Sequence, residues 1–223
     1  MPAAYETFLF DLDGTLIDSI ELIRNSYAHT LREHLGREAD PAEWLEGLGR
    51  PLTWQFARHV DSPMEIQAMV TTYRAHNAQH HDAMVSPYPG TLEKLTTLKR
   101  RGARLAVVTS KLRSGALRGL VHCKIDGFFD AVVGCDEVRE AKPAAEPALL
   151  ALERLGATPK GAVMIGDSPH DLACGRAAGL CTAAASWGPF PRERLESQAP
   201  DHFLSAPSDI AHLAPTARPV PRT

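Results

Sequence analysis

Two hydrophobic patterns divide this chain. The first is a set of short, continuous apolar runs, beginning with Phe8-Leu9-Phe10, that stop abruptly at polar residues or glycine. Such runs read as strands buried on both faces, and further ones fall at 104–109, 131–134, 161–165 and 180–185. Segments with apolar residues at helical spacing separate them, at 91–101, 112–121, 145–155 and 172–178. Regular alternation with short connections predicts an α/β fold, a parallel sheet with helices on both faces. His202-Phe203-Leu204 extends the pattern as an edge strand, and 208–213 as a last helical turn.

The second pattern follows the first strand. Ile20, Ile23, Tyr27, Leu31 and Leu35 recur at helical spacing until Gly36. Asp18 or Ser19 can cap this helix. Shorter helical segments follow at 41–48, 52–60 and 64–84, each introduced by Pro, Asp or Ser, and no strand is predicted between 18 and 84. The prolines and glycine of Ser86-Pro87-Tyr88-Pro89-Gly90 cannot continue a helix and mark the return to the alternating pattern. The expected organisation is a core (1–16 and 87–213), an inserted all-helical domain (17–86) and a loose proline-rich tail (214–223).

With 223 residues, 44% of them hydrophobic, the chain can bury a full core. A net charge of −3 without a basic stripe, and an aromatic content of 6%, argue against nucleic acid as a partner. Cys123, Cys135, Cys174 and Cys181 lack C-x-x-C spacing and read as reduced thiols. Residues 1–6 show neither a charged n-region nor an apolar h-region. No apolar run approaches the ~18 residues that span a bilayer. The expectation is a cytoplasmic protein without a membrane partner, a monomer or weak homodimer.

The strand ends carry the chemistry. Phe8-Leu9-Phe10 runs directly into Asp11-Leu12-Asp13-Gly14-Thr15. Alternation places Asp11 and Asp13 on one face, at the strand end where open α/β sheets bind ligands. Two carboxylates there suit a nucleophile beside a proton-exchanging acid, with a phosphoryl group as electrophile and a metal to hold charge. Gly14 lets the backbone approach a ligand, and Thr15 adds a hydroxyl and an amide. A second strand ends in Thr109-Ser110-Lys111, which offers a hydroxyl, an amide and a cation to phosphate oxygens. Lys142, held before Pro143, suits a point charge aimed at a phosphate and a nucleophilic carboxylate. A third strand ends in Gly166-Asp167-Ser168, with Asp171 at the head of the next helix. Asp167 fits a direct ligand of Mg2+, which takes one or two carboxylates plus waters and phosphate oxygens. Asp171 fits a ligand through water, or a group that orients Ser168 and Lys142. The Asp, Thr and Ser residues among these could instead cap the helix that follows them, and Lys111 and Lys142 could be solvated surface lysines. In the insert, Arg50 on the turn Gly47-Leu48-Gly49-Arg50-Pro51 is a candidate substrate contact. His76 and His80 lie one turn apart with no third ligand at helical spacing, and read as a polar helix face or hinge rather than a zinc site.

In their order, Asp11-x-Asp13-Gly14-Thr15, Thr109-Ser110, Lys142-Pro143 and Gly166-Asp167 with Asp171 resemble the four motifs of the haloacid dehalogenase superfamily phosphohydrolases. The insert resembles that family's cap domain, and the resemblance spans residues 7–205. It implies a Rossmann-like sheet with Asp11 and Asp13 on a central strand. It also implies an aspartyl-phosphate on Asp11, with Asp13 first protonating the leaving oxygen and then activating water. Mg2+ would be held by Asp11, the Asp13 carbonyl and Asp167, while Thr109, Lys142 and amides near Gly14 stabilise the transferring phosphoryl group. Dehalogenation is disfavoured, because the dehalogenases of the superfamily lack the acid that Asp13 supplies.

Within the superfamily the chain resembles the phosphoglycolate phosphatase group. Its stretch from Tyr73-Arg74 through Asn77 and His80-His81-Asp82 to Tyr88-Pro89-Gly90 is similar to the branch that hydrolyses inorganic pyrophosphate. Thr109-Ser110-Lys111 and Lys142-Pro143 with Glu146-Pro147 share that likeness. The expected substrate is a small phosphorylated metabolite such as 2-phosphoglycolate, or pyrophosphate itself. The alternatives are a sugar-phosphate mutase or broad-specificity phosphatase of the same superfamily, and a non-enzymatic phospho-acceptor.

Overall fold

In the computed structural model, which describes residues 5–214, strand β1 (Thr7–Phe10) leads into a two-residue strand, β2 (Ile17–Asp18). Four helices follow: α1 (Ile20–Leu35), α2 (Pro41–Gly47), α3 (Leu52–Phe56) and α4 (Pro63–Met84). After a second short strand, β3 (Ser86–Pro87), the alternating part begins with α5 (Thr91–Arg100), β4 (Arg104–Val108), α6 (Arg113–His122) and β5 (Ala131–Val133). It continues through α7 (Glu146–Leu155), β6 (Ala162–Gly166), α8 (Pro169–Ala177) and β7 (Cys181–Ala185), and closes with α9 (Arg192–Glu196), β8 (His202–Leu204) and a 3-10 segment at Pro207–Leu213.

Six strands form one sheet in the order β5-β4-β1-β6-β7-β8, every neighbouring pair parallel. Alternation along β1 sends Phe8 and Phe10 to the face covered by Leu95 and Leu98 of α5 and Ala116 and Leu120 of α6. Leu9 goes to the opposite face, against Ala148, Ala151 and Leu152 of α7 and Cys174 of α8. Burial on both faces is why these strands read as unbroken apolar runs.

The helical insert has its own apolar cluster. Ile23, Tyr27 and Leu31 of α1 pack with Trp44, Leu48, Phe56, Met69, Val70 and Tyr73. That cluster also contains Leu172 of α8, Ala184 of β7, Phe190 from the loop before α9 and Leu195 of α9, so insert and sheet share one apolar contact region.

Local structure departs from expectation where the hydrophobic pattern is silent. The chain enters and leaves the helical region through an antiparallel ribbon, Ile17 opposite Pro87 and Asp18 opposite Ser86. Two residues per strand, one of them proline, are too few to leave a period in the sequence. The segment expected as a helix over 52–60 keeps helical form only through Phe56. The helix expected from 172 begins earlier, at Pro169, because Ser168 and Asp171 cap it reciprocally. Ser19 stands at the start of α1 but makes no side-chain cap. Of the expected tail, Ala214 is buried in the core, and 215–223 lie outside the described residues. All four cysteines are free, and no helix among the described residues is long and apolar enough to cross a membrane.

Candidate active site

The strand order places a ligand crevice. From β1 the chain builds outward on one side through β4 and β5, then returns to the other side with β6. The connections leaving β1 and β6 run to opposite sides, which leaves a crevice at the C-terminal ends of these neighbouring strands. The amide of Asp11 donates to the Ile165 carbonyl at 2.9 Å and that of Thr109 to the Val133 carbonyl at 3.0 Å, so both residues are held in line with the sheet.

Lys142 is the centre of the buried network. Its side chain is 2% exposed, and Nζ has three acceptors for its three hydrogens: Asp11 Oδ1 at 2.7 Å, Asp171 Oδ1 at 2.5 Å and the Val108 carbonyl at 3.1 Å. Burial alone would lower the ammonium's pKa, but the charges and hydrogen bonds of Asp11 and Asp171 outweigh it and raise the pKa above its ordinary value. Asp171 spends its second oxygen on the Ser168 hydroxyl (2.6 Å) and amide (3.1 Å). Asp171 is thereby saturated and orients Lys142 and Ser168.

Asp11, Asp167 and Asp171 bring carboxylate oxygens within 4.8 Å of one another. Asp167 Oδ1 accepts from the Thr15 hydroxyl at 2.7 Å. Oδ2 of Asp11 and Oδ2 of Asp167 accept no hydrogen bond among the described residues. Gly14, at φ +86°, passes so close to Asp167 that an added Cβ would lie 2.5 Å from Oδ2, and one added at Gly188 would lie 2.6 Å from the same oxygen. Burial first, and then the charge of Asp171, push Asp11 up to about 7 despite Lys142. Burial and the neighbouring Asp11 raise Asp167 well above the usual carboxylate range. Three acids facing one ammonium, with two oxygens left bare, fit a hard divalent cation.

Asp13 turns elsewhere. Its Oδ1 accepts from the Ser19 hydroxyl at 2.5 Å and from Lys111 Nζ at 2.7 Å. Lys111 is thus ion-paired, and Ser19 serves Asp13 instead of capping α1. Thr109 Oγ1 accepts from the Lys111 amide at 3.1 Å, and Ser110 Oγ donates to the Gly49 carbonyl at 2.6 Å, which ties the strand end to the insert's turn. Gly49 takes φ +86° there, over Ser168 and His170.

A cavity of about 610 Å³ joins these groups. Asp11, Asp13, Thr109, Ser110, Lys111, Lys142, Asp167 and Ser168 line it from the sheet side, and Arg50, Tyr73, Arg74, Asn77 and His81 from the insert. Gly14 and Thr15 are not lining residues; Thr15 holds Asp167 through its hydroxyl and receives the Trp187 indole N–H on its carbonyl at 3.0 Å. Arg50 Cζ lies over the Trp54 ring, 4.7 Å from its centre. His76 and His80 sit outside this cavity, and a third imidazole, His29 of α1, stacks on His76 at 4.5 Å.

The sequence reading missed Ser19, Trp187 and Gly188. Trp187-Gly188 had a signal, since it follows the end of a buried strand as the other site residues do. Ser19 had none, because its partner is fixed only by the course of the backbone after β1.

Comparison with known proteins agrees with this geometry. A family model of haloacid dehalogenase-like hydrolases matches residues 8–185. The pyrophosphatase PpaX of Halalkalibacterium halodurans is 39% identical over 207 residues, covering 93% of this chain and 95% of the relative. The PpaX of Bacillus cereus strain B4264 is 41% identical over 204 residues, covering 92% and 94%. Among solved structures, a haloacid dehalogenase-like hydrolase from Streptococcus pneumoniae superposes with a TM-score of 0.82 at 28% identity, over 93% of this chain and 97% of that one. CbbY from Rhodobacter sphaeroides in complex with phosphate gives 0.80 at 27%, over 92% and 96%. With strand-end acids, buried lysine and helical insert in the family's order, and the match running nearly the length of the chain, this protein belongs to the haloacid dehalogenase-like hydrolases.

Proposed function

We propose that the chain hydrolyses a small anionic phosphate compound, inorganic pyrophosphate first and 2-phosphoglycolate second, through an aspartyl-phosphate on Asp11. The observation that carries this reading is the bare Oδ2 of Asp11, on a cavity wall, with Oδ1 anchored by Lys142. Oδ2 attacks phosphorus; an O–P bond forms, the bond to the leaving oxygen breaks, and Asp13 supplies the proton that oxygen needs. Asp13 then takes a proton from water as the water attacks phosphorus, which frees phosphate and restores the Asp11 carboxylate. Lys142, with its three hydrogens on Asp11, Asp171 and Val108, would offset the phosphoryl charge from behind Asp11; Thr109 lines the cavity where the phosphoryl oxygens would lie, and Ser19 and Lys111 keep Asp13 in place. Mg2+, held by Asp11, the Asp13 carbonyl and Asp167, would offset the phosphoryl charge. The insert, residues 17–86, acts as a cap over the cavity, with the Ile17–Asp18 and Ser86–Pro87 ribbon as its attachment. The substrate preference draws on the relatives named pyrophosphatase, and on Arg50 and Arg74, cations that line the cavity.

A phosphate-release panel with Mg2+ tests the reading. Pyrophosphate or 2-phosphoglycolate should exceed sugar phosphates and nucleoside monophosphates in kcat/KM by about tenfold, roughly 1.4 kcal/mol. A tenfold win for a neutral sugar phosphate would overturn it, and a single stoichiometric release without turnover would identify a phospho-acceptor instead. Arg50→Ala should cost the anionic substrates more than para-nitrophenyl phosphate.

Metal binding makes a separate prediction. The folded state holds the Asp11 proton up to about 7, above the ordinary 3.8. The penalty for ionising Asp11 is therefore absent below about pH 4 and complete above about pH 7. A bound cation relieves that penalty, so Mg2+ should raise Tm more at pH 8 than at pH 5. Asp167→Asn should raise the Tm of the EDTA-treated protein and abolish the Mg2+ increment. An increment independent of pH would count against the acid cluster as the metal site.

A further inference from the structure

One face of α4 carries polar residues that the mechanism above does not use. Tyr73, Asn77 and His81 follow one another at intervals of four, are 7%, 8% and 2% exposed, and all line the cavity that contains Asp11. Asn77 Nδ2 and His81 Nε2 are buried without a hydrogen-bond partner. An unpaired amide or imidazole nitrogen kept out of water is a cost with no return inside the ligand-free protein. Here both such atoms belong to residues on the wall of the same cavity.

The imidazole is not free to turn. His81 Nδ1 meets Asp82 Oδ1 at 2.7 Å, and Asp82 in turn receives Arg118 of α6 at 3.0 Å. With Nδ1–H committed to Asp82, Nε2 bears a proton only as imidazolium, the form an anion favours. Burial holds this imidazole below its ordinary pKa, Asp82 opposing and Lys111 and Arg118 adding to the effect. Arg74, one turn from Asn77, lines the cavity and forms no ion pair among the described residues.

We propose that Asn77 and His81, with Arg74, form the subsite for the leaving group and require it to carry an oxyanion, a phosphate or a carboxylate. Asn77 donates through Nδ2, and His81 donates through Nε2 once the arriving anion has brought a proton from solvent onto the imidazole, while the phosphoryl group occupies the Asp11 end. This rests on the reading that a phosphoryl group is bound at Asp11, and it adds the residues that choose what is attached to it. Both act in recognition rather than in bond breaking.

The test is calorimetric binding to the Mg2+-loaded full-length protein, with orthophosphate, imidodiphosphate and phosphonoacetate as ligands. The wild type should bind imidodiphosphate or phosphonoacetate about tenfold more tightly than orthophosphate. Whichever of the two is tighter identifies the leaving group as phosphate or carboxylate. Asn77→Leu and His81→Gln should each remove most of that preference. Asn77→Leu should at the same time raise the Tm of the ligand-free protein, because it removes the unpartnered amide; a residue important only for folding would lower it. Retention of the wild-type preference in both variants, or a lowered Tm for Asn77→Leu, overturns the subsite. Wild-type protein that binds orthophosphate without preferring either larger ligand also overturns it, and leaves hydrolysis at Asp11 standing. Failure to bind orthophosphate at all removes the phosphohydrolase reading, and the subsite with it.

Discussion

Asp11→Asn should fold and lose turnover by roughly four orders of magnitude or more, as loss of a covalent nucleophile does in other enzymes. The amide keeps the volume of the carboxylate, and its oxygen can still accept from Lys142, whose remaining charge partner Asp171 is untouched. What disappears is the oxygen anion that the proposed mechanism uses as its nucleophile. The substitution also removes one of three mutually repelling acids, so the metal-free variant should melt no lower than the wild type. Steady-state phosphate release together with a thermal melt checks both statements. Release at the wild-type rate would remove Asp11 from the mechanism, and a collapsed melt would show that the Lys142 pair requires the charge.

The largest stability effect should come from Lys142→Met. Removing one partner of a buried ion pair leaves the others uncompensated, which costs about 3–5 kcal/mol; here two carboxylates lose their cation at once. The loss has a definite pH dependence. A carboxylate whose folded pKa is raised destabilises the fold only where it is ionised, above its unfolded pKa near 4, and the penalty grows until the folded pKa is passed. That point is about 7 for Asp11 with Lys142 present, and higher without it, because Lys142 is a charge that lowers it. The difference between variant and wild type should therefore be greatest near pH 8.5 and shrink toward pH 5. Urea denaturation at several pH values measures it. A deficit of the same size at every pH would mean that packing, not charge, is what Lys142 supplies.

The parts of the site that were legible in the sequence share one property. Asp11, Thr109 and Asp167 each follow a run of apolar residues long enough to be a buried strand, so their positions at one end of a sheet follow from topology. Lys142 was legible as a residue type in the family's order, but its three acceptors lie 131, 34 and 29 residues away in the chain. No local pattern encodes them. The same holds for Lys111, which resembled a surface lysine or a phosphate ligand and is found paired with Asp13. Asn77 and His81 were visible as motif letters without a role, since a helix period does not say which face of α4 meets the cavity. The ribbon between Ile17–Asp18 and Ser86–Pro87 was invisible because it joins segments nearly seventy residues apart through only two pairs.

The apolar cluster shared by the insert and the sheet bears on how this architecture was assembled. Leu172, Ala184, Phe190 and Leu195 complete the insert's interior although they come from the last third of the chain. Splicing out the helices would uncover these side chains, and expressing the helices alone would leave their interior open along one side. The insertion behaves as a graft that has grown into its host, and a donor cap from a related hydrolase would have to bring matching residues on α8, β7 and α9 before it could take.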